Sequence, residues 1–251
     1  MHLRKTFLAL ALPCVLAACA TEGGFNTEQA LAVGAGLAQA ALLDKGSVQQ
    51  AASEAAQEMD AQNEILGSNT EYGRRLAKIV AGLDTSGEIN FNFKVYKSDE
   101  LNAFAMPDGT VRVFSGLMDA MPDDQIRAVL QHEIGHVRLN HSYDQMRKQL
   151  LTNSAFNAVA SVGGTIGDLT SSQLGQIAYT FINSRFSQSD ELESDAFAVK
   201  ALHKMGEDPS AMKRAIQTLQ QKAGSGGGFL SSHPSNEARV KNIETTIKKL
   251  K

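Results

Sequence analysis

The sequence predicts an α+β protein, mainly helical, with a small antiparallel sheet beside one buried central helix. Two observations predict it. Apolar residues alternate in short runs between residues 91 and 114. From residue 123 onward they recur at helical spacing almost to the end of the chain. The length of 251 residues suits one globular domain with extensions.

The first element is a targeting segment. Arg4 and Lys5 precede an apolar run from Phe7 to Val15, too short to span a bilayer as a helix. The run ends in Leu16-Ala17-Ala18-Cys19, which resembles the lipobox of bacterial lipoproteins. That resemblance implies cleavage before Cys19 and acylation of its thiol and new amine. With Ala20 next, it implies an outer-membrane address, with the catalytic domain facing the periplasm. Three regions are therefore expected: a signal at 1–18, a lipid-anchored tether with N-terminal helices at 19–69, and the main domain at 70–251. Cys14 leaves with the signal and Cys19 carries lipid, so the mature chain keeps no cysteine for a disulfide. Loss of Arg4 and Lys5 moves the formal charge from −3 to −5. There is no basic run suited to nucleic acid and no tryptophan for base stacking.

Residues 20–27 are small and polar and read as a tether. Helices are expected at 28–43, 48–66 and 70–82, the last capped by Asn69 or Thr70. Phe91, Phe93 and Val95 alternate as in a half-buried strand. Asn102–Met106 and Val111–Phe114 give two more, joined by the turn Pro107-Asp108-Gly109-Thr110. Pro122, Asp123 and Asp124 start the central helix, with Ile126, Val129, Leu130, Ile134 and Val137 at helical spacing. Further helices are expected near 145–162, 171–186, 188–204, 209–222 and 235–250. Gly163, Gly164 and Gly167 interrupt the first two, and Gly224–Gly228 read as a flexible loop.

The central helix carries His132-Glu133-Ile134-Gly135-His136. Positions i and i+4 share a helix face, so both imidazoles can bind one Zn²⁺. Glu133 between them can take the proton of an attacking water. Two histidines and a glutamate in a buried helix would otherwise each need a polar partner. A catalytic zinc needs a third protein ligand and an open position. His141 is five residues past His136 and reads as a helix-end residue. Glu191 and Asp195 are again i and i+4, so one can ligate while the other bonds the far nitrogen of a ligand histidine. Glu193 is a rival ligand, and a solvated acidic helix start is the competing reading of the whole group.

His-Glu-x-x-His followed by Phe186-Ser187-x-x-x-Glu191-x-Glu193-x-Asp195 resembles the HtpX/Oma-type family of zinc metallopeptidases, and within it the lipid-anchored bacterial branch. The likeness runs from about Tyr72 to the C-terminus and includes Asn102–Met106, Val111–Asp119 and Ser232-His233-Pro234-Ser235 with Arg239. It implies a zincin-like, gluzincin domain with one Zn²⁺ per chain. His132, His136 and Glu191 would be its ligands, Glu133 the general base, and Asp195 the partner of a ligand histidine. It also implies that Asn102, Ala103, Phe104 and Ala105 bind the substrate backbone, and that His233 and Arg239 border the cleft. His233 has two readings: a catalytic group, or a plug on the open position of the zinc. Gln188 stands where many members carry Arg, which leaves open what orients the acidic helix. The implied function is an envelope endopeptidase acting on unfolded or misassembled envelope proteins, with envelope proteases or assembly factors as partners. The alternative is a largely silent envelope scaffold with chaperone-like binding.

Overall fold

The computed structural model describes residues 43–85, 87–153, 156–157, 164–222 and 228–250. The signal, Cys19, the tether and nearly all of the 28–43 helix lie outside them, as do residues 223–227 of the glycine loop. Asp44 caps the first described helix, α1 (Lys45–Gln62), by accepting from Ser47 N at 2.7 Å. β1 (Ile65–Leu66) follows, then α2 (Glu71–Val80), which Thr70 rather than Asn69 caps.

The strands are β2 (Asn92–Tyr96), β3 (Ala103–Ala105) and β4 (Thr110–Phe114). Their order is β1-β2-β4-β3. The sheet is mixed rather than antiparallel throughout. β1 and β3 pair antiparallel with their neighbours, but β2 and β4 run parallel, with Val95 opposite Val113. The β3–β4 hairpin folds its second strand inward, which leaves β3 at the sheet edge. β4 has the stronger claim to the centre. Val111 and Val113 are fully buried, and Arg112 between them needs a buried partner. That partner is Asp60 of α1, which accepts from Arg112 Nε and Nη2 at 2.8 Å, Lys94 Nζ at 2.6 Å and the Tyr96 hydroxyl at 2.6 Å. Part of the region read as tether and N-terminal helices thus belongs to the core.

The remaining helices are α3 (Ser115–Ala120), α4 (Asp123–Arg138), α5 (His141–Thr152), α6 (Ser171–Asn183), α7 (Gln188–Lys204), α8 (Ala211–Lys222), α9 (Phe229–Ser232) and α10 (Glu237–Lys248). Sequence periodicity misses α3 and α9, which are too short to show a repeat. α5 starts four residues earlier than expected. Asn140, in the left-handed region at φ 65, ends α4 and turns the chain straight into it.

α4 runs through the middle of the fold. Ile126, Val129, Leu130 and Ile134 pack among the sheet and α2, while Ala128 packs with α7, α8 and α10. A third apolar cluster joins α1, α5 and α6. Gly135 decides how closely α4 meets α7: a Cβ there would come within 3.2 Å of the Phe197 ring. That close crossing carries the acidic pair of α7 to the histidines of α4.

Candidate active site

His132, Glu133 and His136 are all essentially buried on α4. Their helical spacing brings His132 Nε2 within 3.0 Å of His136 Nε2. α7 supplies the carboxylate. Ser187 and Asp190 form a reciprocal capping box that fixes its first turn. Glu191 then points inward. Its Oε1 lies 3.3 Å from His136 Nε2 and its Oε2 3.6 Å from His132 Nε2. The Glu193 side chain is 58% exposed and points away, so the rival ligand is outside the cluster.

His233, at the end of α9, completes the group. Its Nδ1 lies 2.9 Å from Glu191 Oε1 and 3.3 Å from His132 Nε2, and its Nε2 lies 3.5 Å from Glu133 Oε1. Phe229 stacks on the His233 ring at 4.3 Å and donates its backbone N–H to Leu101 O at 2.8 Å. Gly228 makes this approach feasible. It adopts φ 61, and a Cβ would fall 2.6 Å from that same Leu101 oxygen.

Among the described residues, one donor atom each from His132, His136, Glu191 and His233 lies within 4.8 Å of all the others. A tetrahedral ion with bonds of ~2.0–2.2 Å holds its donors roughly 3.3–3.6 Å apart. The separations above bracket that value. Glu133 Oε1 is buried without a well-aligned hydrogen bond, a costly state that a water beside a bound cation would relieve. The residues fit a tetrahedral divalent metal.

The electrostatics agree. Burial holds the His136 imidazole well below its usual pKa, so it is a neutral donor. Burial favours the acid form of Glu191, but the His233 imidazole beside it outweighs burial and lowers the carboxyl. Burial pushes Glu133 above the usual carboxylate range. Burial also raises Asp195, but the Arg239 guanidinium outweighs it and leaves the group lowered.

Asp195 Oδ1 lies 3.0 Å from His132 Nδ1, close but off the ideal hydrogen-bond line. Arg239 grips Asp195 from behind and also reaches Glu191 Oε2 at 2.5 Å and His233 O at 3.3 Å. Asn236 sets it in place by capping α10 through the Arg239 N–H. The cation that orients the acidic pair is therefore Arg239. Gln188 is exposed at the start of α7.

Ala103–Ala105 form the edge strand beside the cluster, Asn102 leads into it, and all four are buried. Asn102 Oδ1 accepts the Ala103 N–H at 2.9 Å, Ala105 O accepts from the Ser142 hydroxyl at 3.0 Å, and the Ala105 N–H donates toward Glu133. Sequence reasoning missed two aromatic contacts. Phe186 stacks on His136 at 3.8 Å, and Phe229 backs His233. Phe186 had a signal, as an apolar residue just before a helix cap; Phe229, after a run of glycines, had none. His141, read as a helix-end residue, is buried and touches His136.

The chain matches the profile described as Peptidase family M48 over residues 68–247. The chain belongs to peptidase family M48. It is 36% identical to Metalloprotease LoiP of Escherichia coli (strain K12), over 97% of this chain and 96% of that protein. It is also 36% identical to Metalloprotease YcaL of the same organism, over 97% of each. Mitochondrial metalloendopeptidase OMA1 of Schizosaccharomyces pombe is 28% identical over 70% of this chain and 52% of that protein. The family resemblance read from the motifs holds, and the chain is a metalloendopeptidase.

Proposed function

We propose that this M48 peptidase is a zinc enzyme of the bacterial cell envelope. It hydrolyses peptide bonds of misfolded or unassembled envelope proteins. Lipid on Cys19 anchors it to the outer membrane, with the catalytic domain in the periplasm. The observation that carries the reading is the buried convergence of His132 Nε2, His136 Nε2 and Glu191 beside Glu133. Those three residues hold the ion, one per chain. Zinc, when bound, supplies Lewis acidity toward a peptide carbonyl and makes water a nucleophile near neutral pH.

The protein's own groups do the rest. Glu133 takes the water's proton and returns it to the leaving amine. Asp195 and Arg239 hold His132 and Glu191 in register. In this reading an extended substrate backbone pairs along the β3 edge, and to do so it displaces the bonds that Asn102 Oδ1 and the Ser142 hydroxyl now make to the Ala103 N–H and to Ala105 O. In the present conformation His233 stands where the fourth donor of a closed site would stand. Among the described residues no helix is long and apolar enough to cross a membrane.

Metal analysis of the purified protein with casein cleavage tests the catalytic half. One zinc per chain and cleavage that depends on Glu133 are expected. A zinc-loaded chain that leaves casein intact, even without His233, would turn the reading to a silent scaffold that binds partner proteins. Fatty-acid labelling and membrane fractionation test the anchor: Cys19→Ala should neither label nor stay with membranes.

A further inference from the structure

His136 has a buried partner on the side away from the metal-donor cluster. Its Nδ1 lies 3.2 Å from Nδ1 of His141, and the two rings meet at 67°. On an unbroken helix a residue at i+5 would face elsewhere. The left-handed turn at Asn140 brings it back. His141 is 8% exposed. Its Nδ1 is also 3.3 Å from Ser194 Oγ, and its Nε2 faces Glu193 Oε2 at 3.6 Å and Asp190 Oδ1 at 3.8 Å.

A count of protons assigns the roles. A neutral His136 that turns Nε2 to the cluster carries its proton on Nδ1. That buried N–H needs an acceptor. His141 Nδ1 is the acceptor the structure puts in reach. His141 must then carry its own proton on Nε2, the nitrogen that faces the two carboxylates. The opposite tautomer would set two N–H groups against each other at 3.2 Å. Phe186, stacked on His136, fixes the ring plane but has no means of choosing the tautomer.

We propose that His141 is a positioning residue for the metal site. It accepts the Nδ1–H of His136 and holds that imidazole in the tautomer and orientation that aim Nε2 at the metal. His132 has a carboxylate, Asp195, for this task; His136 has an imidazole. The inference rests on the zinc reading above.

The test compares zinc affinity, by competition with a chromogenic chelator, for wild type and for His141→Asn, His141→Gln and His141→Leu. Absorption of the Co²⁺-loaded forms reads the coordination geometry. Asn places an oxygen near the lost Nδ1, whereas Gln carries it one bond too far and Leu has none. Gln and Leu should bind zinc ~10–100-fold more weakly and change the cobalt bands, with Asn staying within about threefold of wild type. The metal-free Asn and Gln proteins should unfold at the same temperature, which separates positioning from packing. A Gln variant as tight as Asn, an Asn variant as weak as Leu, or a Leu variant as tight as wild type would overturn the proposal. If Leu fails to fold, the Asn–Gln comparison still decides. A wild type that binds no zinc would instead remove the zinc reading itself.

Discussion

Arg239 holds Asp195 by both carboxylate oxygens, Nε to Oδ2 at 2.8 Å and Nη2 to Oδ1 at 2.6 Å, with neither side chain exposed. Its remaining nitrogen reaches Glu191. One guanidinium therefore sets both acids of α7 that face the histidines of α4. A planar fork can do this; a lysine ammonium cannot match two oxygens and a third partner at once. Arg239→Lys should keep the charge yet weaken zinc binding by ~10–100-fold. Equilibrium zinc titration checks it, and unchanged affinity would mean that charge alone suffices.

Glu133 is buried next to His132 and Ala105 and lies outside the group of metal donors; in the proposed function it handles the proton chemistry. Glu133→Gln should keep a full complement of zinc and lose at least ~10²-fold in casein cleavage, the scale of general acid–base catalysis. Activity within a few-fold of wild type would end that assignment.

Glu191 and Glu193 sit two residues apart on α7 but face opposite ways, one at 2% and the other at 58% side-chain exposure. Glu191→Ala should lose the metal, and Glu193→Ala should purify with it. Metal analysis of the two proteins reads the answer directly; the reverse pattern would transfer the ligand role to Glu193.

Much of the site was legible because helical periodicity is a local property. It relates His132 to His136, and Glu191 to Asp195, without any knowledge of the fold. What periodicity cannot say is which helices meet. The residues alone left Glu191 and Glu193 both open and only the family resemblance chose Glu191; the crossing of α4 and α7 at Gly135 and Phe197 is what carries Glu191 to the histidines. The sheet order was illegible for a related reason. β4 lies between β2 and β3, and its Arg112 meets Asp60 of α1, a partner 52 residues away that no local pattern reveals. His141 was misread because a single left-handed residue, Asn140, breaks the helical register on which the reading relied. Arg239 and His233 read as cleft residues only through the family resemblance, since their own segment shows no pattern that points inward.

Asp60 joins α1 to the sheet, and its pKa lies at about 2. Its partial burial alone would raise it; hydrogen bonds from Arg112, Lys94 and Tyr96 prevail. A carboxyl lowered on folding stabilises the protein above its unfolded pKa of ~3.9 and loses that contribution as pH falls toward the folded value. Asp60→Ala also leaves Arg112, 2% exposed, without its partner. The variant should lose about 3 kcal/mol at pH 7, near the low end for breaking a buried pair. Its deficit relative to wild type should shrink between about pH 4 and pH 2. Urea unfolding across that range checks both points; a deficit that stays constant would show that Asp60 acts through packing alone.

His233 reaches the metal cluster from α9, and the backbone bond from Phe229 to Leu101 O holds that segment beside β3. With His233 Nδ1 in place the site would have four protein donors and no open position. Substrate then gains entry only by binding the withdrawn state better than the closed one. Removing the imidazole should leave three zinc ligands and a permanently open position. If the withdrawn state is ordinarily a minority of ~10% or less, basal casein cleavage by His233→Ala should rise by ~10-fold or more. The rival role, stabilisation of the transition state by the same imidazole, has the opposite sign. A His233→Ala enzyme that carries its zinc but turns over an unfolded substrate more slowly than wild type would make His233 a catalytic group and reject the plug.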